Sequence, residues 1–381
     1  MAFSYSTYTT TRAFTYSYIH IPPQLPNTQY LLFLHGFPST SYHWRHQISF
    51  FRAKGYGIIA PDLLGFGETS RPTELEMYKG EDMARDIVEI LMSEGVRTMV
   101  GVAHDCRSKW TENFDNAKAL PFRGCFLLSR LANYHPERFS AYVYIDHGYM
   151  APGRSLTTAA VQHINKSVEE KLGFSILGYF LLFDDDDAPR LLDVHSESVE
   201  SLYFSTDEEI TKKYKGALGG LRAWLTEGKT TELPAYLSPE DHKHYEDAFS
   251  KEKGGYGPAI NWYRAGLRNI NEEDERSMPF PPIHEQYLHL SIPGDYSLEP
   301  PLPYFTNTKS EITTAAHVLT HPTLLIASTN VITAAMNIPE QMRPFATHLT
   351  VEQVVGGHWL HLEKPGEVNE ILDRFVTKVE N

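Results

Sequence analysis

The chain has 381 residues, enough for one large domain or for a core domain carrying an inserted cap. Hydrophobic residues make up 41%, which supports a sizeable core, and the net charge of −14 excludes nucleic acid or an anionic membrane as the main partner. The two cysteines, Cys106 and Cys125, imply no disulfide framework. "MAFSYSTYTTTRAF" at the start lacks the apolar run of a leader, and the longest apolar stretch, Leu172 to Phe183, is too short to span a bilayer. The expectation is a soluble, cytoplasmic enzyme. The acidic run Asp184 to Asp187 reads as a solvated turn, because no His or Cys accompanies it at ligand spacing.

In chain order, "QYLLFLHG" (Gln29 to Gly36), "YGIIAPDL" (Tyr56 to Leu63) and "TMVGVAHD" (Thr98 to Asp105) are short apolar runs and predict buried strands. "GEDMARDIVEILMSEG" (Gly80 to Gly95) puts Met83, Ile87, Ile90 and Leu91 on one helical face and stops at a glycine. "SAYVYIDHGY" (Ser140 to Tyr149) predicts a fourth core strand. Strands alternating with helices imply a parallel sheet with helical crossovers. From about Pro152 to Lys309 helical patterns and aromatics predominate, with prolines at 279, 281, 282, 300, 301 and 303. Strand patterns then return at Pro322 to Thr329 and Thr347 to Val355, before a last helix from about Pro365 to Val379. The predicted organisation is a core over 1–150, a helical cap over 151–310 and the rest of the core over 311–381. The fold class expected is α/β: an α/β-hydrolase fold with a mostly parallel central sheet flanked by helices.

Four stretches carry chemistry. "HGFPST" (His35 to Thr40) follows the first of these strands. Its glycine lets the backbone approach a substrate oxygen, and the Phe37 amide can form half of an oxyanion hole. A plain strand-to-helix turn is the other reading. His35, Gly36 and Pro38 in this turn are candidate substrate contacts. "VAHDC" ends the third strand and has the small residue Ala103 two before Asp105, as a nucleophile elbow requires. An Asp in that place suits attack on carbon in alkyl groups or epoxides, through an ester that water later cleaves. It also reads as an Asp capping the following segment. "VVGGHWLHLEKPGEV" (Val354 to Val368) offers His358, after the last strand and two glycines, as general base, with His361 as competitor. In the cap region, Tyr179 and Tyr263 each read alone as core aromatics, with Trp262 beside Tyr263 as a further candidate contact. Beside an Asp elbow, the pair offers two O–H donors to an epoxide oxygen as it becomes an alkoxide.

Through "LHGFPST", "PDLLGFGETSRP", "HPERF", "GYGPAINWYR" and "GGHWLHLEKPGEVN" the chain resembles α/β-hydrolase-fold epoxide hydrolases over almost its whole length, without a phosphatase domain in front. The resemblance implies Asp105 as nucleophile, His358 as the base that activates water, Tyr179 and Tyr263 as the ring-opening tyrosines, and the amides of Phe37 and Cys106 as the oxyanion hole. It implies a small, largely apolar epoxide and water as reactants, with no metal or organic cofactor. Haloalkane dehalogenases, the related alternative, usually hold halide with a Trp after the nucleophile, where Cys106 stands here.

Two departures from the family pattern stand out. The family reads roughly "GHDWG" and runs straight into a helix. Here Arg107 to Arg123 intervene, putting Arg107 where a small residue belongs and parting Asp105 from the following helix. With that segment removed, Gly124 falls two after Asp105. The segment reads either as an outward loop or as translated intron. The acid that orients the histidine is also missing from its usual place, where Asn330 and Val331 stand. Asp146, after the strand that follows the elbow helix, is the candidate substitute. These departures favour the alternative of a catalytically inactive relative that binds a hydrophobic ligand, and the retained Asp105, His358, Tyr179 and Tyr263 disfavour it.

Overall fold

A computed structural model describes residues 3–25, 28–105, 123–153, 156–276, 319–330 and 337–380. Among them, an eight-stranded sheet organises the core, in the order β1-β2-β4-β3-β5-β6-β7-β8. Its strands are β1 Tyr5–Thr9, β2 Thr15–Ile21, β3 Tyr30–Leu34, β4 Gly57–Pro61, β5 Met99–His104, β6 Phe139–Ile145, β7 Thr323–Ser328 and β8 Leu349–Val354. β1 and β2 form an antiparallel edge, and β2 pairs antiparallel with β4. The strands from β4 to β8 run parallel.

Alternation along the strands feeds two cores. Leu31 and Phe33 of β3, with Val100 and Val102 of β5, face one cluster. Leu32 and Leu34, with Met99 and Ala103, face the other. Each such aliphatic side chain contributes about 1.5–3 kcal/mol on full burial, so both faces demand cover. Helices α1 Arg45–Ala53, α2 Gly80–Ser93 and α3 Arg123–Tyr134 are the crossovers in the first part of the chain. The predicted apolar stripe of α2 is buried at Met83, Ile87, Ile90 and Leu91.

Between β6 and β7 the described chain is helical. It comprises α4 Thr158–Leu172, α5 Gly178–Asp184, α6 Ala188–Val194, α7 Ser196–Phe204, the single turn α8 Glu208–Ile210, a π-helical segment Thr211–Gly216, α9 Gly220–Thr226, α10 Pro239–Ala248, α11 Gly257–Leu267 and α12 Glu272–Arg276. Their apolar faces extend one of the two sheet cores. The proline clusters and the predicted cap boundary near 310 lie outside the described residues. The chain ends with α13 Ile338–Met342, α14 Leu360–Glu363 and α15 Pro365–Glu380. No described helix is long and apolar enough to cross a membrane.

One irregularity positions the site. β5 pairs Met99 with Phe139 and Val100 with Ala141, so Ser140 is an extra residue in β6. Above this bulge the pairing runs regularly to His104 opposite Ile145, and the next residues are Asp105 and Asp146.

Candidate active site

Asp105 follows the last residue of β5 with φ +75°, a left-handed conformation costing about 1–3 kcal/mol for a residue with a Cβ. Such a turn lifts its side chain above the sheet. A helix begins immediately beside it. A Cβ added to Gly124, in the first turn of α3, would stand 2.4 Å from the His104 carbonyl and 2.6 Å from that of Leu34. This corrects two expectations. Gly124, not Arg107, takes the place where only a small residue fits, and the start of α3 is not parted from the elbow. Asp105 and Gly124, which flank the intervening segment, both stand at the strand end, so the spacing lost in sequence is recovered in space. Cys106 and Arg107, with the rest of 106–122, lie outside the described residues.

Gly36 faces the same side chain. A Cβ there would sit 1.9 Å from Asp105 Cβ. The bare glycine lets the next amide, Phe37 N–H, donate to Asp105 Oδ2 at 2.7 Å. Gly36→Ala is expected to lower kcat/KM by about 100-fold or more, since displacements near 1 Å are enough for that. Steady-state rates alongside a melting curve check that the loss exceeds any loss of folded protein.

His358 Nε2 lies 3.1 Å from Asp105 Oδ1, and its Nδ1 lies 2.6 Å from Asp146 Oδ2. Asp146, at φ +59°, is held on its other oxygen by the Ser328 amide at 3.3 Å and by the Ser328 hydroxyl, which in turn accepts from Asn330 Nδ2. The His358 carbonyl is 2.9 Å from His104 Nε2. Burial and the nearby His358 bring the His104 imidazole down to about 4, so it is neutral and donates this bond. Burial alone would push the Asp105 carboxyl up. The hydrogen bond and charge of His358, with the Phe37 amide, outweigh it and hold Asp105 well below the usual carboxylate range. Burial alone would lower His358, but the hydrogen bonds and charges of Asp105 and Asp146 raise it above its ordinary value. The two carboxylates thus favour the charged form of the imidazole between them, and the imidazole in turn favours an ionised Asp105.

The tyrosines stand across Phe37 from this array. The Phe37 ring meets Tyr263 at 5.7 Å, Tyr203 at 5.2 Å and Phe183 at 5.4 Å between centroids. Tyr179 on α5 and Tyr263 on α11 are edge to face at 5.9 Å. Both are buried.

Other sequence candidates have different surroundings. His35 is within 2.9 Å of the Gly36 carbonyl and accepts from the Leu63 amide, so it braces the turn. Pro38 follows Phe37 in that turn. The Trp262 indole donates to the Leu64 carbonyl and its ring faces Tyr78, away from the tyrosine pair. His361 is buried between Trp44 and His104 and belongs to the packing behind the site. Sequence reasoning missed Ser328, His104 and Tyr203. The first two carry no pattern of their own, because their partners come from other strands and loops. No described group of three or more His, Cys, Asp or Glu is arranged to hold a metal ion.

The sheet order, the strained Asp after β5 and the histidine after β8 define an α/β hydrolase. Residues 29–106 match the family described as "alpha/beta hydrolase fold". Over nearly the whole chain, the sequence is 24% identical to epoxide hydrolase A of Mycobacterium tuberculosis, covering 93% of this chain and 92% of that one. It is 30% identical to epoxide hydrolase 2 of Siraitia grosvenorii over 62% of this chain and 65% of that one. The pig bifunctional epoxide hydrolase 2 is 23% identical, covering 89% of this chain, and the chain spans about half that protein's length, 49%. The crystal structure of epoxide hydrolase A from Mycobacterium thermoresistibile superposes with a TM-score of 0.69 at 22% identity, covering 98% and 97% of the two chains. These likenesses show an α/β-hydrolase fold, and the relatives and solved structures the chain is similar to are epoxide hydrolases.

Proposed function

We propose that the chain hydrolyses a small, largely apolar epoxide to a vicinal diol through an ester on Asp105. The observation that carries this reading is the Asp105–His358–Asp146 hydrogen-bond chain with two buried tyrosines across Phe37. Asp105 is anionic and buried, so it is a strong nucleophile once substrate displaces its partners. One of its oxygens attacks a ring carbon, the C–O bond breaks, and Tyr179 and Tyr263 donate to the departing oxygen, which ends as a hydroxyl.

Forming the ester removes the negative charge that helped raise His358. The imidazole then gives up its Nε2 proton to solvent and, now neutral, accepts one from the attacking water. The resulting hydroxide attacks the ester carbonyl of Asp105. The Phe37 amide, no longer occupied by a carboxylate, holds the oxyanion, with the Cys106 amide as the second donor the family resemblance implies. Asp146 stabilises the imidazolium, which returns its proton to the departing alkoxide as the intermediate collapses, releasing the diol and the Asp105 carboxylate. No step calls for a metal or an organic cofactor, and a cytoplasmic location suits this chemistry. The core of 1–150 and 311–381 supplies nucleophile, base and acid, and the cap of 151–310 supplies the tyrosines.

Diol formation from styrene oxide tests the reading, using the chain as it stands and a version lacking Arg107 to Arg123. Turnover by the full chain is expected, because Gly124 already closes the elbow. Silence from both versions, each shown to be folded, would leave a ligand-binding relative as the better reading. Asp146→Asn is expected to lower kcat by about 10³-fold, since a neutral amide cannot stabilise the imidazolium. Rapid-quench kinetics should show ester hydrolysis slowed more than ester formation.

A further inference from the structure

The helical region buries a lysine beside one of the two tyrosines. Lys215, in the π-helical segment, is 4% exposed. Its Nζ lies 4.2 Å from the centroid of the Tyr203 ring and 5.8 Å from that of Tyr179. Lysine is almost never fully buried unless its charge is compensated, so its placement needs a cause.

The backbone supplies one. A Cβ on Gly216 would stand 2.4 Å from the Ser175 carbonyl, and one on Gly178 would stand 2.0 Å from the Ala217 carbonyl. Two glycines thus let the π-helical segment and the start of α5 touch main chain to main chain. Lys215 precedes one of these glycines and Tyr179 follows the other, so the contact that brings the two segments together also brings the ammonium to the phenol. π-Helical turns of this kind occur frequently at functional sites.

We propose that Lys215 is a positioning residue for ring opening, its fixed ammonium stabilising the tyrosinate that Tyr179 becomes when it gives up its proton. The proposal rests on the reading of Tyr179 as an acid in epoxide opening. In that step the proton passes from Tyr179 Oη to the epoxide oxygen while the ring C–O bond breaks and the bond from Asp105 to carbon forms. Lys215 keeps its own protons throughout. Its Nζ lies 5.8 Å from the Tyr179 ring centroid, and an opposite charge within about 4–6 Å of an ionising oxygen favours its ionised form by about one to three pKa units.

Other ionisable groups face this region from the neighbouring elements. Tyr203 and Tyr263 complete the aromatic cluster around Tyr179. His358, Glu363 and the exposed Glu208 line a cavity of about 290 Å³ that Lys215 also lines. Glu363 accepts from the Gly357 and Trp359 amides. On the π-helical segment, Lys212 pairs with Glu209, and Lys213 lies over Tyr214. On the helices packed against α5, Arg264 donates to the Phe183 and Asp185 carbonyls, Arg222 pairs with Asp185 and Asp187, Asp193 accepts from the Tyr256 amide, and Glu169 accepts from Ser175.

The test is an ultraviolet titration of tyrosinate in the full chain, in Tyr179→Phe, and in Lys215→Met and Lys215→Arg with and without Tyr179→Phe. Subtracting each Tyr179→Phe curve isolates the ionisation of Tyr179. Lys215→Met should move that transition up by about one pH unit or more, and Lys215→Arg should restore it. Single-turnover ester formation from styrene oxide should fall about tenfold or more in Lys215→Met, and more than ester hydrolysis does. Lys215→Gln serves in the same way if the methionine variant does not fold. A Tyr179 transition that stays in place when the charge is removed overturns the proposal, whatever happens to turnover. A shifted transition in a protein that forms no diol keeps the charge coupling and removes the epoxide reading instead.

Discussion

Replacing Asp105 with Asn should lower kcat for styrene oxide by about 10⁴-fold or more, the scale seen when a nucleophile acting with a base is removed. The amide is isosteric and keeps one oxygen for the Phe37 N–H, so the elbow at φ +75° need not change. What disappears is the anion that attacks carbon. A second effect follows from the same charge. Asp105 is one of two carboxylates raising the pKa of His358, so in the Asn variant that pKa should fall. An NMR titration of the imidazole resolves this independently of activity. The positive control is a single turnover in ¹⁸O water. In the unaltered chain, label enters the Asp105 carboxyl during the first cycle, because water attacks the ester carbonyl carbon and not the substrate. Label only in the diol, or an Asn variant with full turnover, would sink the two-step mechanism.

The complementary result is expected for His358→Gln. Attack by Asp105 needs no base, so the ester should still form. Its cleavage does need one, so steady-state turnover should fall by about 10³-fold or more, after a burst of one equivalent. Intact-mass measurement should show the protein heavier by one epoxide molecule, and peptide mapping should put the adduct on the peptide ending β5. Loss of the 3.1 Å hydrogen bond also exposes Asp105 to the upward pressure of burial, so ester formation should slow below neutral pH. No adduct and no turnover would mean that His358 assists the first step, and the roles given above would need to be exchanged. The pair of variants is informative together: one should be inert without a mass change, the other inert with one.

Much of this arrangement was legible in the sequence, for physical reasons. β3, β4 and β5 are buried on both faces, so they read as apolar runs with sharp ends, and Asp105 is found by standing at one such end. Gly124 was legible because removing 107–123 restores a spacing that a strand and a closely packed helix both demand. The structure meets that demand without removing anything. The β1–β2 edge was not read. β1 alternates with one exposed face, and β2, though largely buried, alternates polar residues with Tyr and Ile, so neither stretch offers an apolar run. Ser328 was invisible because its hydroxyl matters only through Asp146, which is distant in sequence. Lys215 was missed for a similar reason. It approaches Tyr179 through a glycine-to-glycine contact that no local periodicity encodes. The sequence offered His358 over His361, and in space His358 faces both carboxylates while His361 lies in packing behind them.

The extra residue Ser140 has a consequence at the opposite end of the molecule. β5 and β6 rise in step from the bulge, so their tips emerge together, and each tip is an Asp in left-handed backbone. The bulge acts as a phase setter. With Ser140 set aside as the bulged residue, Phe139 and Ala141 take successive rungs opposite Met99 and Val100, and every rung above keeps step up to His104 opposite Ile145. A residue gained or lost above the bulge, between Ala141 and Ile145, would present a different residue to His358 at the tip facing Asp105. Because both carboxylates are clocked by one ladder, the connection after β7 is relieved of supplying the acid and can drift in length and composition. A rung count, rather than a loop, keeps time for the histidine.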